Sequence, residues 1–217
     1  MILPLRSLLL GLLTLGSAHA APSLYSTGPD EPTAYVRFVN AGGQQARLGK
    51  EAVALEGQGG ATPFQPVRAD RPLEGAVQLG DARIILDDRL PEGQFLTVVL
   101  ASGKEAAAQR FTDVVDDFNA AKASITVYNA APACASAALS VQGRELRIVQ
   151  DVVPGQWSRR QVNPVQLALE LDCGAGQPRV AVPASGLLQA GERYSLIVTE
   201  SGQGEINALW LQDAMQD

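Results

Sequence analysis

The stretch Tyr35-Val36-Arg37-Phe38-Val39-Asn40-Ala41 occurs a second time, in altered form, as Ser124-Ile125-Thr126-Val127-Tyr128-Asn129-Ala130. Both copies are rich in β-branched and aromatic residues, which favour strands. Alternate residues of a strand share a face. Val36 and Phe38 therefore point one way, as do Ile125 and Val127, and these are the residues expected to face a core. Each copy runs into Asn-Ala and then a loop. Asn40 and Asn129 sit where a short amide can bond the backbone of a turn.

Working outward, two further matches follow in the same order. Phe95-Leu96-Thr97-Val98-Val99-Leu100-Ala101-Ser102-Gly103 aligns with Tyr194-Ser195-Leu196-Ile197-Val198-Thr199-Glu200-Ser201-Gly202, each preceded by a glycine turn at Gly93 and Gly191. Arg110-Phe111-Thr112-Asp113 then aligns with Trp210-Leu211-Gln212-Asp213. The spacings are 89, 99 and 100 residues. Ordered matches at a nearly constant spacing indicate a duplicated unit. The rest of the chain is short strand-like runs between Gly- and Pro-rich turns, with Gly 21 and Pro 13, and no amphipathic helix stands out. Frequent turns between short strands predict antiparallel β-sandwiches. The expected fold is all-β: two tandem antiparallel sandwiches of the immunoglobulin-like or carbohydrate-binding-module-like kind. The first spans residues 34–118, the second 119–217, and they join near Asp116 to Lys122.

Residues 1–20 read as a cleaved secretory signal. Arg6 supplies the positive end, Ser7 to Leu15 the apolar stretch, and Ala18-His19-Ala20 the small-x-small site before Ala21. The apolar stretch is too short to span a bilayer. No cysteine follows the cleavage site, so a lipid anchor is not expected. Residues 21–33, with Gly28, Pro29 and Pro32, form an extended lead-in. Export by this route predicts a periplasmic protein. It also predicts that Cys134 and Cys173, an even pair in an oxidising compartment, form a disulfide rather than two free thiols. The closed loop of 39 residues would contribute about 4 kcal/mol in the chain-entropy treatment.

Charge and residue content exclude several classes of function. The net charge is -6 and no basic run occurs, which argues against nucleic acid and anionic membrane surfaces. The one histidine is His19, inside the signal. The mature chain would carry none, and so no Ser-His-Asp or Cys-His catalytic pair and no His-ligated zinc. No metal site, nucleotide loop, GxSxG elbow or CxxC pair is present, and no cofactor is expected. Asp87-Asp88 and Asp116-Asp117 are adjacent acids that alternate across a strand, and they read as solvated loop residues. Trp157 and Trp210 suit core packing or sugar stacking.

The segment Leu24-Tyr25-Ser26-Thr27-Gly28-Pro29, leading into Ala34-Tyr35-Val36-Arg37-Phe38-Val39-Asn40, resembles the opening of the alginate biosynthesis protein AlgF family. That family has the same size and a cleaved signal. The resemblance implies a periplasmic, non-catalytic accessory protein for O-acetylation of an exopolysaccharide, either alginate or an alginate-like or cellulose polymer. It implies as partners a membrane-bound O-acyltransferase and periplasmic SGNH-type acetyltransferases. Tyr25, the outward-facing Tyr35 and Arg37, and Trp157 are the candidate contacts to a partner or to sugar. Two rival readings are a carbohydrate-binding module that holds the polymer directly and a chain that transiently carries acetyl on Ser or Thr. The second has no visible base to activate the hydroxyl.

Overall fold

The computed structural model describes residues 31–41, 45–48, 53–55, 60–101, 107–114, 119–174, 176–183 and 186–216. The signal, Tyr25 and most of the lead-in, and Asp116-Asp117, lie outside the described residues. Glu31–Asp217 forms one compact unit. Its strands, in chain order, are β1 (Thr33–Asn40), β2 (Ala46–Leu48), β3 (Val53–Leu55), β4 (Gly60–Ala61), β5 (Gln65–Arg68), β6 (Gly75–Leu79), β7 (Ala82–Leu86), β8 (Gln94–Ala101), β9 (Ala107–Val114), β10 (Ala123–Asn129), β11 (Ala137–Val141), β12 (Arg147–Val152), β13 (Trp157–Val162), β14 (Val165–Gln166), β15 (Leu169–Asp172), β16 (Val180–Ala181), β17 (Leu187–Leu188), β18 (Arg193–Glu200) and β19 (Ile206–Gln212). No helix occurs among the described residues.

Two sandwiches follow from the strand order. In the first, sheet β4-β1-β8-β9, with β5 also on the edge of β1, faces sheet β3-β2-β6-β7. In the second, sheet β13-β10-β18-β19 faces sheet β12-β11-β15-β16. The repeat is visible in the pairing. β1 lies parallel to β8, and β10 parallel to β18, while β9 and β19 close their sheets antiparallel. The expectation of purely antiparallel sheets thus misses one parallel pair per sandwich. Parallel neighbours need a long crossover, and here the opposing sheet supplies it.

Each sandwich has its own core. Val36, Phe38, Leu96, Val98 and Leu100 pack on Val77, Leu79 and Leu86 in the first. Ile125, Val127, Tyr194, Leu196 and Val198 pack on Leu139, Val149, Leu169 and Leu171 in the second. Val36, Phe38, Ile125 and Val127 are therefore inward, as the alternation predicts. The disulfide between Cys134 and Cys173 is formed, with a Cα–Cα distance of 4.8 Å, and both cysteines belong to the second core. Asn129 has the structural role read from its position. Its amide donates to the carbonyls of Cys134 and Val152, and its carbonyl accepts from the Ala131 N–H.

One alignment is corrected. The sequence pattern pairs Phe95 with Tyr194, yet the residue that shares the inward face with Tyr194 is Leu96. The turn glycines show the register. The Gly93 N–H bonds the Thr33 carbonyl just as that of Gly191 bonds the Lys122 carbonyl, and both glycines hold a positive φ, 75° and 79°. A one-residue slip moves every side chain to the opposite face, so Phe95 and Arg193 are the true counterparts. The runs around them are apolar on both faces, which removes the alternation that would have fixed the phase.

Both faces are apolar because both are covered. A third cluster, Val39, Ala41, Val99, Phe111, Tyr128, Ala130 and Ile197, joins the outer face of the first β1-containing sheet to that of the β10-containing sheet. The molecule is four layers deep, with the two repeated sheets in the middle. The backbone crosses the seam as well. The Phe64 N–H donates to the Ala214 carbonyl, and the Gln216 N–H to the Phe64 carbonyl.

Candidate functional site

The seam between the two sandwiches gathers most of the buried charge in the described chain. On β1, Arg37 follows Val36 and so points away from the first core, into the seam. Its Nη1 lies 2.6 Å from Asp213 Oδ1, with the two side chains 2% and 6% exposed. Its Nη2 donates to Ser195 Oγ at 2.7 Å and its Nε to Thr97 Oγ1 at 3.0 Å. The guanidinium also lies over the Phe64 ring, 4.4 Å from its centre. A second pair runs the other way. Arg159 on β13 reaches Asp113 Oδ2 of the first sandwich at 2.6 Å, again with both side chains buried, and donates to Thr126 Oγ1 and the Val114 carbonyl. The Tyr128 hydroxyl donates to the same Asp113 Oδ2 at 2.9 Å. Burial pushes the Tyr128 phenol well above its ordinary pKa; the nearby Arg37 pulls it down, and Asp113 and Asp213 add to the rise.

Asp113 and Asp213 are the repeat counterparts noted in the sequence, and each holds an arginine from the other sandwich. The arginines themselves are not counterparts: Arg37 is on the opening strand of one repeat, Arg159 on the edge strand of the other. Buried guanidinium–carboxylate pairs are strong only when their remaining donors are satisfied. Thr97, Ser195 and Thr126 supply those acceptors.

This geometry corrects one expected contact. Arg37 does not face outward; it is held between the sandwiches because the face opposite the first core is itself covered. Tyr35 is half-buried and stacked on Phe95, with ring centres 4.7 Å apart. Trp157 is half-buried at the seam, its indole N–H donating to the Thr112 carbonyl at 3.0 Å, with Arg159 over its ring at 5.3 Å. Trp210 stacks on Tyr194 and packs against the second core. Asp88 of the first acid pair is bound to Arg110, at 2.8 Å.

The Ser195–Asp213 pair is enclosed within the seam. Ser195 donates to Asp213 Oδ1 at 2.7 Å, a hydroxyl–carboxylate pair of the kind a covalent carrier needs. Yet Ser195 is fully buried and Asp213 is already neutralised by Arg37. Among the described residues, no group of three His, Cys, Asp or Glu is arranged to hold a metal ion. At one end of the seam a cleft of about 650 Å³ opens beside the tail, lined by Thr62, Pro63, Leu211, Gln212 and Met215, with Arg37 at its floor.

No family model matches the chain, and no curated protein does. Among solved structures, it is similar to the C-terminal domain of AlgF from P. aeruginosa, at 29% identity over 42% of this chain and 98% of that one, with a TM-score of 0.37. It is also similar to a putative cell adhesion protein from Bacteroides uniformis, at 10% identity over 87% of this chain and 100% of that one, with a TM-score of 0.30. TM-scores this low carry no weight for function.

Proposed function

We propose that the protein is a periplasmic, non-catalytic accessory protein of the AlgF kind, required for O-acetylation of a secreted polysaccharide. Support comes from the sequence opening, Leu24 to Asn40, and from the construction of the seam. The observation that carries the non-catalytic part is the burial of Ser195 and Asp213. A hydroxyl paired with a carboxylate is present, but no acceptor or acetyl donor can reach it, and the carboxylate is bound to Arg37 rather than poised as a base. What remains for function is the outside of a body joined by a buried seam, which suits holding acetyltransferase partners in place.

Deleting the gene and measuring ester-linked acetyl on the secreted polymer tests this. Loss of acetyl with polymer yield maintained is expected, restored by the wild-type gene and by Ser195→Ala. Unchanged acetylation on deletion would overturn the accessory role. Failure of Ser195→Ala to restore acetyl, with the variant folded and abundant, would overturn the non-catalytic one.

A further inference from the structure

The outer row of the seam contains a cation that the network does not use. Arg193 opens β18 on the same face as Ser195 and Ile197. Its guanidinium lies over the Phe95 ring, 5.6 Å from the centre, and Phe95 is stacked on Tyr35 and met edge-on by Phe64. Among the described residues, no carboxylate, carbonyl or hydroxyl accepts a hydrogen bond from it. The two nearby acids are committed elsewhere, Asp213 to Arg37 and Asp113 to Arg159. Beside Arg193 in register is Ser124, whose Oγ is buried and also without a partner. Burial lowers the Arg193 pKa and Arg159 adds to the effect, while Asp213 and Asp113 oppose it. The fold therefore carries a partly desolvated guanidinium whose N–H groups find no acceptor among the described residues, with Asp213 and Asp113 near it but each held by another arginine.

We infer that Arg193, with Tyr35 and Phe95, is the seat for an Asp or Glu side chain of a protein partner. Three things point to a protein carboxylate. A guanidinium offers paired N–H groups that match a carboxylate. Tyr, Phe and Arg are the residue types concentrated at the centres of protein interfaces. The rings are already stacked, so little ordering is lost when they are covered. The open N–H groups supply the complementarity, since the two acids nearest Arg193 are already bound to Arg37 and Arg159. This inference rests on the accessory role proposed above and adds the surface through which it acts.

The test is binding of the full mature chain to the purified SGNH-type acetyltransferase of the same pathway, followed by calorimetry or interferometry at low and high salt. Arg193→Glu is expected to weaken binding at least about tenfold and to flatten its salt dependence, because it replaces an attraction to the partner's acid with a like-charge repulsion. Arg147→Glu, at an exposed position on the far sheet, should leave affinity unchanged. If the wild type binds and Arg193→Glu binds equally, this seat is wrong while the accessory role stands. If the wild type fails to bind, the seat for this partner is overturned, and the accessory role stands or falls on the deletion alone. A large drop in melting temperature for Arg193→Gln with affinity unchanged would place Arg193 in the seam as a structural ion and overturn the inference.

Discussion

Removing the Asp213 carboxylate probes the seam most sharply. Asp213→Ala leaves Arg37 at 2% exposure with its charge uncompensated, though still bonded to Thr97 and Ser195. Breaking a buried pair from one side costs about 3–5 kcal/mol. A chain of this size loses about 2–4 °C of melting temperature per kcal/mol, so the drop should be roughly 6–20 °C. Guanidinium denaturation followed by circular dichroism gives the free energy directly. Replacing both partners with apolar residues, Arg37→Met with Asp213→Leu, should recover most of the loss, because the penalty is the stranded charge rather than the missing pair. The exposed pair Arg68–Glu31, with side chains 54% and 55% exposed, provides the scale: Glu31→Gln should cost under about 1 kcal/mol. A cost for Asp213→Ala no larger than that for Glu31→Gln would refute the view that the Arg37–Asp213 pair is desolvated within the seam.

Other outcomes follow from the same geometry. Tyr128 holds its proton in the fold beyond the pH of about 10 at which an unfolded phenol ionises. Its stabilising contribution is fully present below that pH and is lost as pH rises above it. Thermal melts at rising alkaline pH should show this slope, and Tyr128→Phe should flatten it. Reducing Cys134–Cys173, or replacing both with Ser, should cost about 2–5 kcal/mol, read by denaturant titration with and without reductant. Gly191→Ala meets no close atom, with its nearest neighbour the Ala120 carbonyl at 3.7 Å, but it forces a side chain to φ 79°. The expected loss is about 1–2 kcal/mol by the same titration.

The sequence showed the core and concealed the seam, for a simple physical reason. Strand alternation places Val36, Phe38, Ile125 and Val127 on one face, and composition makes that face apolar, so the inward set was legible. The same alternation puts Arg37 on the opposite face. In an isolated sandwich that face would meet water, and an arginine there would read as a surface contact. The sign that it is covered lies elsewhere, in Val98-Val99-Leu100 and Leu196-Ile197-Val198. Those runs are apolar at every position, as strands buried on both faces are. The continuity also hides the register, so that Phe95 aligns with Tyr194 in the sequence rather than with its counterpart Arg193. The acid partners were visible only as a repeated Asp at 113 and 213. Their arginines come from non-equivalent strands, and no local pattern links residues 37 and 213, or 113 and 159, across the chain.

Scanning calorimetry of the chain from residue 21 onward asks most directly whether the sandwiches form one body or two domains on a tether. A shared core of Val39, Val99, Phe111, Tyr128 and Ile197, with an ion pair crossing in each direction, predicts a single endotherm whose calorimetric and van't Hoff enthalpies agree. Two separable endotherms, each with the enthalpy of about half the chain, would contradict it.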